Sequence, residues 1–483
     1  MFKSLALFFI CFLMYSRSGF SINIDVNTYA FYGSKSYVEV FTRVDCASVT
    51  WSQKGDKKTA GVNFILIISN NVGEIVAYDK YDLNSESLDT IRDFLTVKRF
   101  QLQAGSYTIK VEATDNSNLE NKVQLEKKIS VDSKFPSTGL SDIQLLGVCY
   151  PDSSDNVLAK NGIYIEPLAY QYLSQKNEFL RFYLEVYRAD SSMTKELFIQ
   201  YAILEGLKDN ITSSSVLSKY KKLNLSPVEP LMLTLPVKDL KSGDYHLVIN
   251  VQDKLKNVLA TRKVNFTKSN PDADIEFLEN YNDKLNNSFA QKIGAEDMDY
   301  ILKALLPVTD QNQVSTLGEL LKSNKLKSQQ SFIFQMWKAK SPSNPEESYK
   351  AYMEVARAVD KKFYSNVGYG FQSDRGHIFL KYGKPSNVLA VDTEVDAPPY
   401  EIWYYTYLPT TRQTNVRFLF YNPSLSHNDY KLLHSTCLGE RTNPAWETVL
   451  YGSVPQDRQG TATDATTVKE NFNRNARRYF NEY

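Results

Sequence analysis

Leu102-Gln103-Ala104-Gly105-Ser106-Tyr107-Thr108-Ile109-Lys110-Val111-Glu112-Ala113-Thr114-Asp115 lines up residue for residue with Leu240-Lys241-Ser242-Gly243-Asp244-Tyr245-His246-Leu247-Val248-Ile249-Asn250-Val251-Gln252-Asp253. Each copy is a turn followed by strict alternation, with Tyr, Ile or Leu, Val or Ile, and Ala or Val on one side. A period of two belongs to a half-buried antiparallel strand. The glycine permits a tight turn, and the closing aspartate ends the strand in the next one. Looser parallels lie upstream: Tyr37-Val38-Glu39-Val40-Phe41 against Phe179-Leu180-Arg181-Phe182-Tyr183-Leu184, and Tyr78 to Tyr81 against Tyr220 to Leu223. Short strands every 8–12 residues or so predict immunoglobulin-like β-sandwiches. The offset between copies is about one such domain. Residues 22–133 and 141–268 are therefore expected to be duplicated sandwiches, joined through Phe135-Pro136-Ser137-Thr138-Gly139. Their edges suit a partner's strand or the spacing of another domain. His246 is expected on the solvated face of its strand. Neither sandwich shows His, Cys or carboxylates at metal spacing.

The chain has 483 residues, a length suited to about three domains. Its 56 basic and 55 acidic side chains leave a net charge of +1, so nothing drives counterion release from a nucleic acid, and no nucleic-acid partner is expected. With 42% apolar residues the chain can bury real cores. Its 32 tyrosines suit β surfaces where the ring packs and the hydroxyl reaches water.

Residues 1–21 carry Lys3, an apolar run from Leu5 to Tyr15, and the small-residue exit Ser16-Arg17-Ser18-Gly19-Phe20-Ser21. This is the pattern of a signal peptide. The run falls short of the roughly 20 residues a spanning helix needs. A lipoprotein signal through Cys11 fits poorly, because Phe8-Phe9-Ile10 precedes it in place of small residues. The protein is thus expected to be exported and not integral: periplasmic, outer-membrane associated or secreted. Cys46, Cys149 and Cys437 are widely separated and lack any C-x-x-C spacing, which predicts buried thiols and no metal site.

After Asn270-Pro271 the period changes to that of helices, with segments expected around 275–290, 296–306, 315–323 and 328–339 as a connector over 271–343. A longer helix over 345–364 is predicted from Asn344-Pro345-Glu346-Glu347, read as a capping box. Tyr349, Tyr352, Met353, Ala356, Val359 and Phe363 fall on its apolar face. Beyond it, Gly368 to Gly376 reads as a turn and His377 to Tyr382 as a strand ended by Gly383-Lys384-Pro385. Tyr400 to Tyr405 and Asn415 to Tyr421 read as further strands. Three strands on one helix make a small α+β domain over 344–452. The fold class expected is multidomain: two immunoglobulin-like β-sandwiches, a helical connector and a C-terminal α+β domain. In the polar tail, 453–483, Phe472, Ala476, Tyr479 and Phe480 have helical spacing at an end expected to fray.

Gly370-Phe371-Gln372-Ser373-Asp374-Arg375-Gly376, Tyr382-Gly383-Lys384-Pro385 and Tyr400-Glu401-Ile402-Trp403-Tyr404-Tyr405 together resemble the GWxTD domain family of bacterial exported proteins. The name-giving pentapeptide falls on Gly370 through Asp374, with Phe371 in place of tryptophan and Ser373 in place of threonine. Tyr430 to Thr436 and Gly439-Glu440-Arg441-Thr442-Asn443-Pro444-Ala445-Trp446 resemble the Bacteroidetes form with two preceding β domains. The family is known chiefly as a domain without an assigned activity, so the resemblance implies fold and export.

Asp374, Arg375, His377, Glu401, His434 and Cys437 are the residues from which a hydrolase could be built, given a nucleophile, a base and an oxyanion donor. Against this, the chain has no G-x-S-x-G, H-E-x-x-H or phosphate loop. His434 and Cys437, three apart, would meet only on a helix. The reading favoured is structural: Asp374 accepts backbone N–H groups, Arg375 forks onto Glu401 or a carbonyl, and Gly370, Gly376 and Gly383 supply turn conformations, with Phe371, Ser373 and Pro385 completing the motif. Candidate binding residues are Asp374, Arg375, Glu401, Trp403 and His434. No catalytic residue, metal or cofactor is expected. The function expected is that of a scaffolding or protein-binding component of the cell envelope with an envelope protein as partner. An exported hydrolase or transferase acting on envelope polymers, through His434 and Asp374, is the alternative.

Overall fold

The protein is described by a computed structural model over residues 22–482, apart from 33–34, 87–88, 133–137, 189–195, 208–209, 225, 282–284, 324, 366–367, 395, 444 and 453–473. The leader, the join at Phe135 to Ser137, and Phe472 lie outside the described residues. The chain is multidomain and β-rich, with helices concentrated after Asn270.

Strand Ser36–Val44 pairs with Ile24–Tyr32 on one side and Phe94–Gln101 on the other. A second sheet runs in the order Ile75–Asn84, Gly61–Asn70, Gly105–Asp115, Asn118–Val131. Both sheets line one apolar cluster, where Phe64, Leu66, Ile109 and Val111 meet Val38, Val40 and Val44. The arrangement recurs further on. Phe179–Arg188 pairs with Gln144–Pro151 and Val228–Pro236, while Asn210–Lys222, Phe198–Leu207, Gly243–Gln252 and Val258–Lys268 form the second sheet. Leu180, Phe182 and Leu184 face Ile199, Leu247 and Ile249 across a separate cluster.

The two aligned segments have the geometry their spacing predicts. In Gly105–Asp115 the residues Ile109, Val111 and Ala113 are buried, as are Tyr245, Leu247, Ile249 and Val251 in Gly243–Gln252. The hydroxyls of Tyr107 and Tyr245 donate to the carbonyls of Gln103 and Lys241, four residues back, each at 2.9 Å. Asp115 accepts from the N–H groups of Thr50 and Ser117, and Asp253 from those of Leu255 and Asn257. His246 corrects the expectation of a solvated residue. It is 1% exposed, because its ring lies against Asn265 on the neighbouring strand, Nδ1 to Oδ1 at 2.5 Å.

The β units meet over a mixed junction. Tyr29, Phe31, Phe41 and Val97 of the first pack on Leu146, Leu158, Ile165 and Tyr183 of the second. Beside them Glu39 and Glu185, both buried, share Lys160, at 3.5 and 3.7 Å. Glu39 also takes Arg99 Nε at 3.0 Å and Gln144 Nε2 at 3.1 Å, and Glu185 accepts from the hydroxyls of Tyr183 and Tyr187. Lys160 Nζ lies 3.0 Å from the centre of the Phe31 ring. Burial lowers the pKa of Lys160 and the two glutamates raise it again.

Helices Pro271–Asn280, Met298–Leu305, Val314–Lys322 and Leu326–Lys340 follow, with a 3-10 turn at Phe289–Lys292. The segment expected as helix over 275–290 stops as a helix at Asn280. Asp274 ties this region to the second β unit, accepting from Ser242 N–H at 2.7 Å and from the Thr316 hydroxyl. These helices are no spacer. Leu302, Leu317 and Ile333 share one cluster with Met353, Phe371, Trp403 and Cys437, so 271–343 and 344–452 are built around a common core.

Helix Pro345–Phe363 buries Met353, Ala356, Val359 and Phe363 as expected, although Asn344 makes no side-chain capping bond. Gly370–Gln372 is a short 3-10 turn, and Asp374–Tyr382 is a helix. This corrects the expected strand at His377 to Tyr382. Ile378-Phe379-Leu380 has no alternation to stabilise a two-sided strand, and Ser373 supplies a helix cap. Four antiparallel strands then follow in sheet order Asn387–Val391, Tyr400–Leu408, Gln413–Tyr421, Lys431–Ser435. Two of these, the first and the last, were not legible in the sequence. The tail also differs from the expected frayed end: Ala476–Glu482 is a helix whose Phe480 packs on Trp446 and Leu433, with Arg477 forked onto Glu447.

Candidate functional site

The bend Gly370 to Gly376 works by close approach. A Cβ at Gly376 would lie 2.1 Å from the Gly370 carbonyl oxygen, and one at Gly370 would lie 2.1 Å from the Asp360 oxygen. Neither glycine has a positive φ, so the expectation that both supply turn conformations holds only for Gly383, at φ +83°. Ser373 locks the crossing. Its hydroxyl donates to the Gly370 carbonyl at 2.6 Å and accepts the Gly376 N–H at 3.1 Å, capping helix Asp374–Tyr382. A cap of this kind is worth about 1 kcal/mol. Asp360 Oδ1 accepts the Gly370 N–H at 2.6 Å. Phe371, 1% exposed, packs edge-on to Tyr300 and stacks on Tyr369. Pro385 is buried where the chain leaves Gly383.

The cap sets the direction of the first helical residues. Asp374 Oδ2 accepts the Leu432 N–H at 2.6 Å, fastening the last strand of the sheet. Arg375, 4% exposed, donates through Nη1 to Glu401 Oε1 at 2.6 Å and through Nη2 to Asn428 Oδ1 at 2.9 Å. Its guanidinium lies 3.9 Å from the centre of the Tyr430 ring. Glu401 Oε2 accepts from Trp403 Nε1 at 2.9 Å, and Trp403 packs against Phe420 and Phe363. Arg375, Glu401 and Trp403 thus form one network, with Asp374 one residue away and turned toward Leu432.

His434 is not part of it. Its ring stacks with Trp446 and Phe480, and its Nδ1 accepts the Asn443 N–H at 3.0 Å. Burial lowers its pKa to about 4, so it stays neutral. Cys437 sits in the other cluster, with Trp403 and Phe418, and burial pushes its thiol up, which suits a packed hydrophobe and not a nucleophile. His434 and Cys437 therefore form no dyad. His377 lies on the helix, held below its usual pKa first by burial and then by the Lys381 charge.

Some contributors were missed. Asn428, with φ +59°, accepts from Arg375 and donates to the carbonyls of Lys362 and Tyr364; asparagine's tolerance of that conformation was the available signal. Lys362 and Lys384 flank a cavity of about 560 Å³ over Arg375 and Trp403. In the first β unit the structure also corrects the expectation of no ligand cluster, since Asp45, Cys46 and Asp93 converge. Their carboxylates already accept from Ala47 N–H, Asn23 Nδ2 and Cys46 N–H. Cys46 and Cys149 are half-buried, and only Cys437 is the buried thiol expected of all three.

A search of curated proteins returns no match. Among solved structures, two of a glycosyl hydrolase family 2 member from Bacteroides cellulosilyticus match with TM-score 0.18 and 10% identity, covering 48% of this chain and 26% and 28% of theirs. The chain spans about a quarter of the length of that hydrolase. Fibronectin(III)-like modules of Clostridium thermocellum CbhA match with TM-score 0.15 and 12% identity, over 51% of this chain and 94% of theirs. Values this low carry no argument about activity. The sequence profile of the GWxTD domain matches residues 286–449, a span that contains the bend, the Arg375 network and helices of the shared core. Residues 286–449 of this chain are a GWxTD domain.

Proposed function

We propose that this protein is an exported, non-enzymatic component of the cell envelope, in which two β units space a GWxTD domain that binds a partner protein. The β units are read as immunoglobulin-like sandwiches. The pair of antiparallel-rich sheets enclosing one core in each unit supports this, as do the tyrosine hydroxyls bonded back to Gln103 and Lys241, a corner motif of such sandwiches. The binding role rests on one observation: Asp374, Arg375 and Glu401 are engaged with Leu432, Asn428 and Trp403, so none of the three is a poised acid or base, while the exposed Lys362 and Lys384 flank an open cavity above this buried network.

Affinity-tagged full-length protein, recovered from an envelope extract after mild cross-linking, is expected to carry one enriched protein. Recovery of a bare monomer in repeated extractions removes the binding reading. Cleavage of an envelope glycan or peptide, lost on His434→Ala with thermal stability unchanged, favours the hydrolase instead.

A further inference from the structure

This inference rests on the protein-binding reading and names the chemistry of the partner. The four-stranded sheet ends at Asn387–Val391, whose outer edge pairs with no strand among the described residues. Alternate residues of an antiparallel edge turn both backbone groups toward the sheet or away from it. The Val388 N–H donates to the side chain of its neighbour, Asn387 Oδ1, at 2.9 Å, so Val388, and two residues on Ala390, belong to the outward set. Their side chains are exposed on the face shared with Trp403 and Glu401, their cross-strand partners.

The 560 Å³ cavity opens on that same face, lined among others by Lys362, Phe363, Arg375, Lys384, Val388 and Trp403. Its charge is unbalanced. Among the described residues Glu401 is the only carboxylate lining it, and both its oxygens are occupied, by Arg375 and Trp403. Lys362 and Lys384 form no ion pair among the described residues. The Nε of Arg375 is buried without a hydrogen-bond partner. Three cations against one carboxylate leave two positive charges uncompensated beside an open strand edge.

We propose that an extended, acidic segment of a partner protein adds as a fifth strand along Asn387–Val391 and sets an Asp or Glu side chain between Lys362 and Lys384. Backbone bonds at the edge supply register-independent affinity, and the cationic cavity selects the side chain. A small free anion would use neither the strand edge nor the apolar wall of Phe363 and Val388, which is why the occupant is a peptide.

The test pans a displayed library of random decapeptides against the full-length protein. Enriched peptides are expected to carry an acidic residue among β-branched neighbours, to bind at least tenfold more weakly to the Lys362→Glu, Lys384→Glu double variant, and to weaken with salt. Bound peptide should slow hydrogen exchange at the Val388 and Ala390 amides. Enrichment without acidic residues, equal binding to the double variant, or unchanged exchange at those amides overturns the proposal. So does equal competition by acetate or sulfate alone, which would mark an anion site. The variants change exposed lysines, and an unchanged melting temperature establishes that they fold. An envelope partner retained by the double variant defeats this inference alone; no partner for either protein defeats the binding reading beneath it.

Discussion

At the turn before strand Gly243–Gln252 and at the bend Gly370 to Gly376, the chain sets a buried aromatic ring beside a glycine, and the two places are held by different forces. In the β unit a hydrogen bond closes the turn, from Tyr245 to the Lys241 carbonyl, and a Cβ on Gly243 would find ordinary contact at 3.4 Å. In the GWxTD domain two backbone segments cross at a separation that only a missing side chain allows, with the Gly370 oxygen 2.1 Å from where a Cβ on Gly376 would stand. The first turn is assembled from a bond and tolerates added volume. The second is assembled from an absence and does not.

The largest effect follows from that contrast. Gly376→Ala should cost more than about 3 kcal/mol, since the obstructing atoms are backbone and cannot swing aside, whereas Gly243→Ala should stay within about 1 kcal/mol. Thermal melts of the two variants measure the difference, and equal losses would erase the distinction. Next comes the pair that the bend positions. Glu401→Gln leaves Arg375 buried without its counter-charge, and removing one partner of a buried pair costs about 3–5 kcal/mol; chemical denaturation should show the loss at neutral pH.

Acid should separate the regions further. Burial holds His434 at about 4, while an unfolded histidine titrates near 6.5. The unfolded chain therefore takes up the proton first as pH falls. The stability tied to the neutral ring is complete above pH ~6.5 and drains away toward pH 4, by on the order of 3 kcal/mol. The urea midpoint of the GWxTD domain should drop between pH 7.5 and pH 4.5, and His434→Gln should flatten that drop. The smallest effects belong to the corners. Tyr245→Phe should cost about 1 kcal/mol, and Tyr107→Phe about half that, because the Tyr107 bond is exposed to water, which replaces it. Equal values would mean that solvent access is irrelevant at these turns.

The strands of the β units were legible because period two and a solvent-facing side coincide there: Ile109, Val111 and Ala113 point in while Lys110 and Glu112 point out. Helix Pro345–Phe363 was legible for the corresponding reason at period 3.6. Arg375 was expected to fork onto Glu401 or a carbonyl, and it takes both, Glu401 through Nη1 and the Asn428 carbonyl through Nη2. His377 to Tyr382 misled because a short apolar run buried on most sides carries no period, and the capping Ser373 outweighed it. His246 misled because alternation records which side of the strand a residue takes, not what later covers that side. Gly370 and Gly376 misled because sequence does not distinguish a glycine needed for its torsions from one needed for its emptiness. His434 is separated from the Arg375 network because it pairs with Leu419, and Leu419 with Ile402, on one face of the sheet while Trp403 and Phe418 take the other, a property of pairing that no single strand reveals.

The junction where the β units meet, with Lys160 held between Glu39 and Glu185, has a mechanical consequence. Bending that opened the joint would part Lys160 from Glu39, but Arg99 would stay with Glu39 and Glu185 with Lys160; what opposes it is chiefly the exposure of Phe31, Phe41, Leu146 and Tyr183 to water. A joint closed by packed aromatic and aliphatic side chains resists bending, so the angle between the two β units is set by the fit of those side chains.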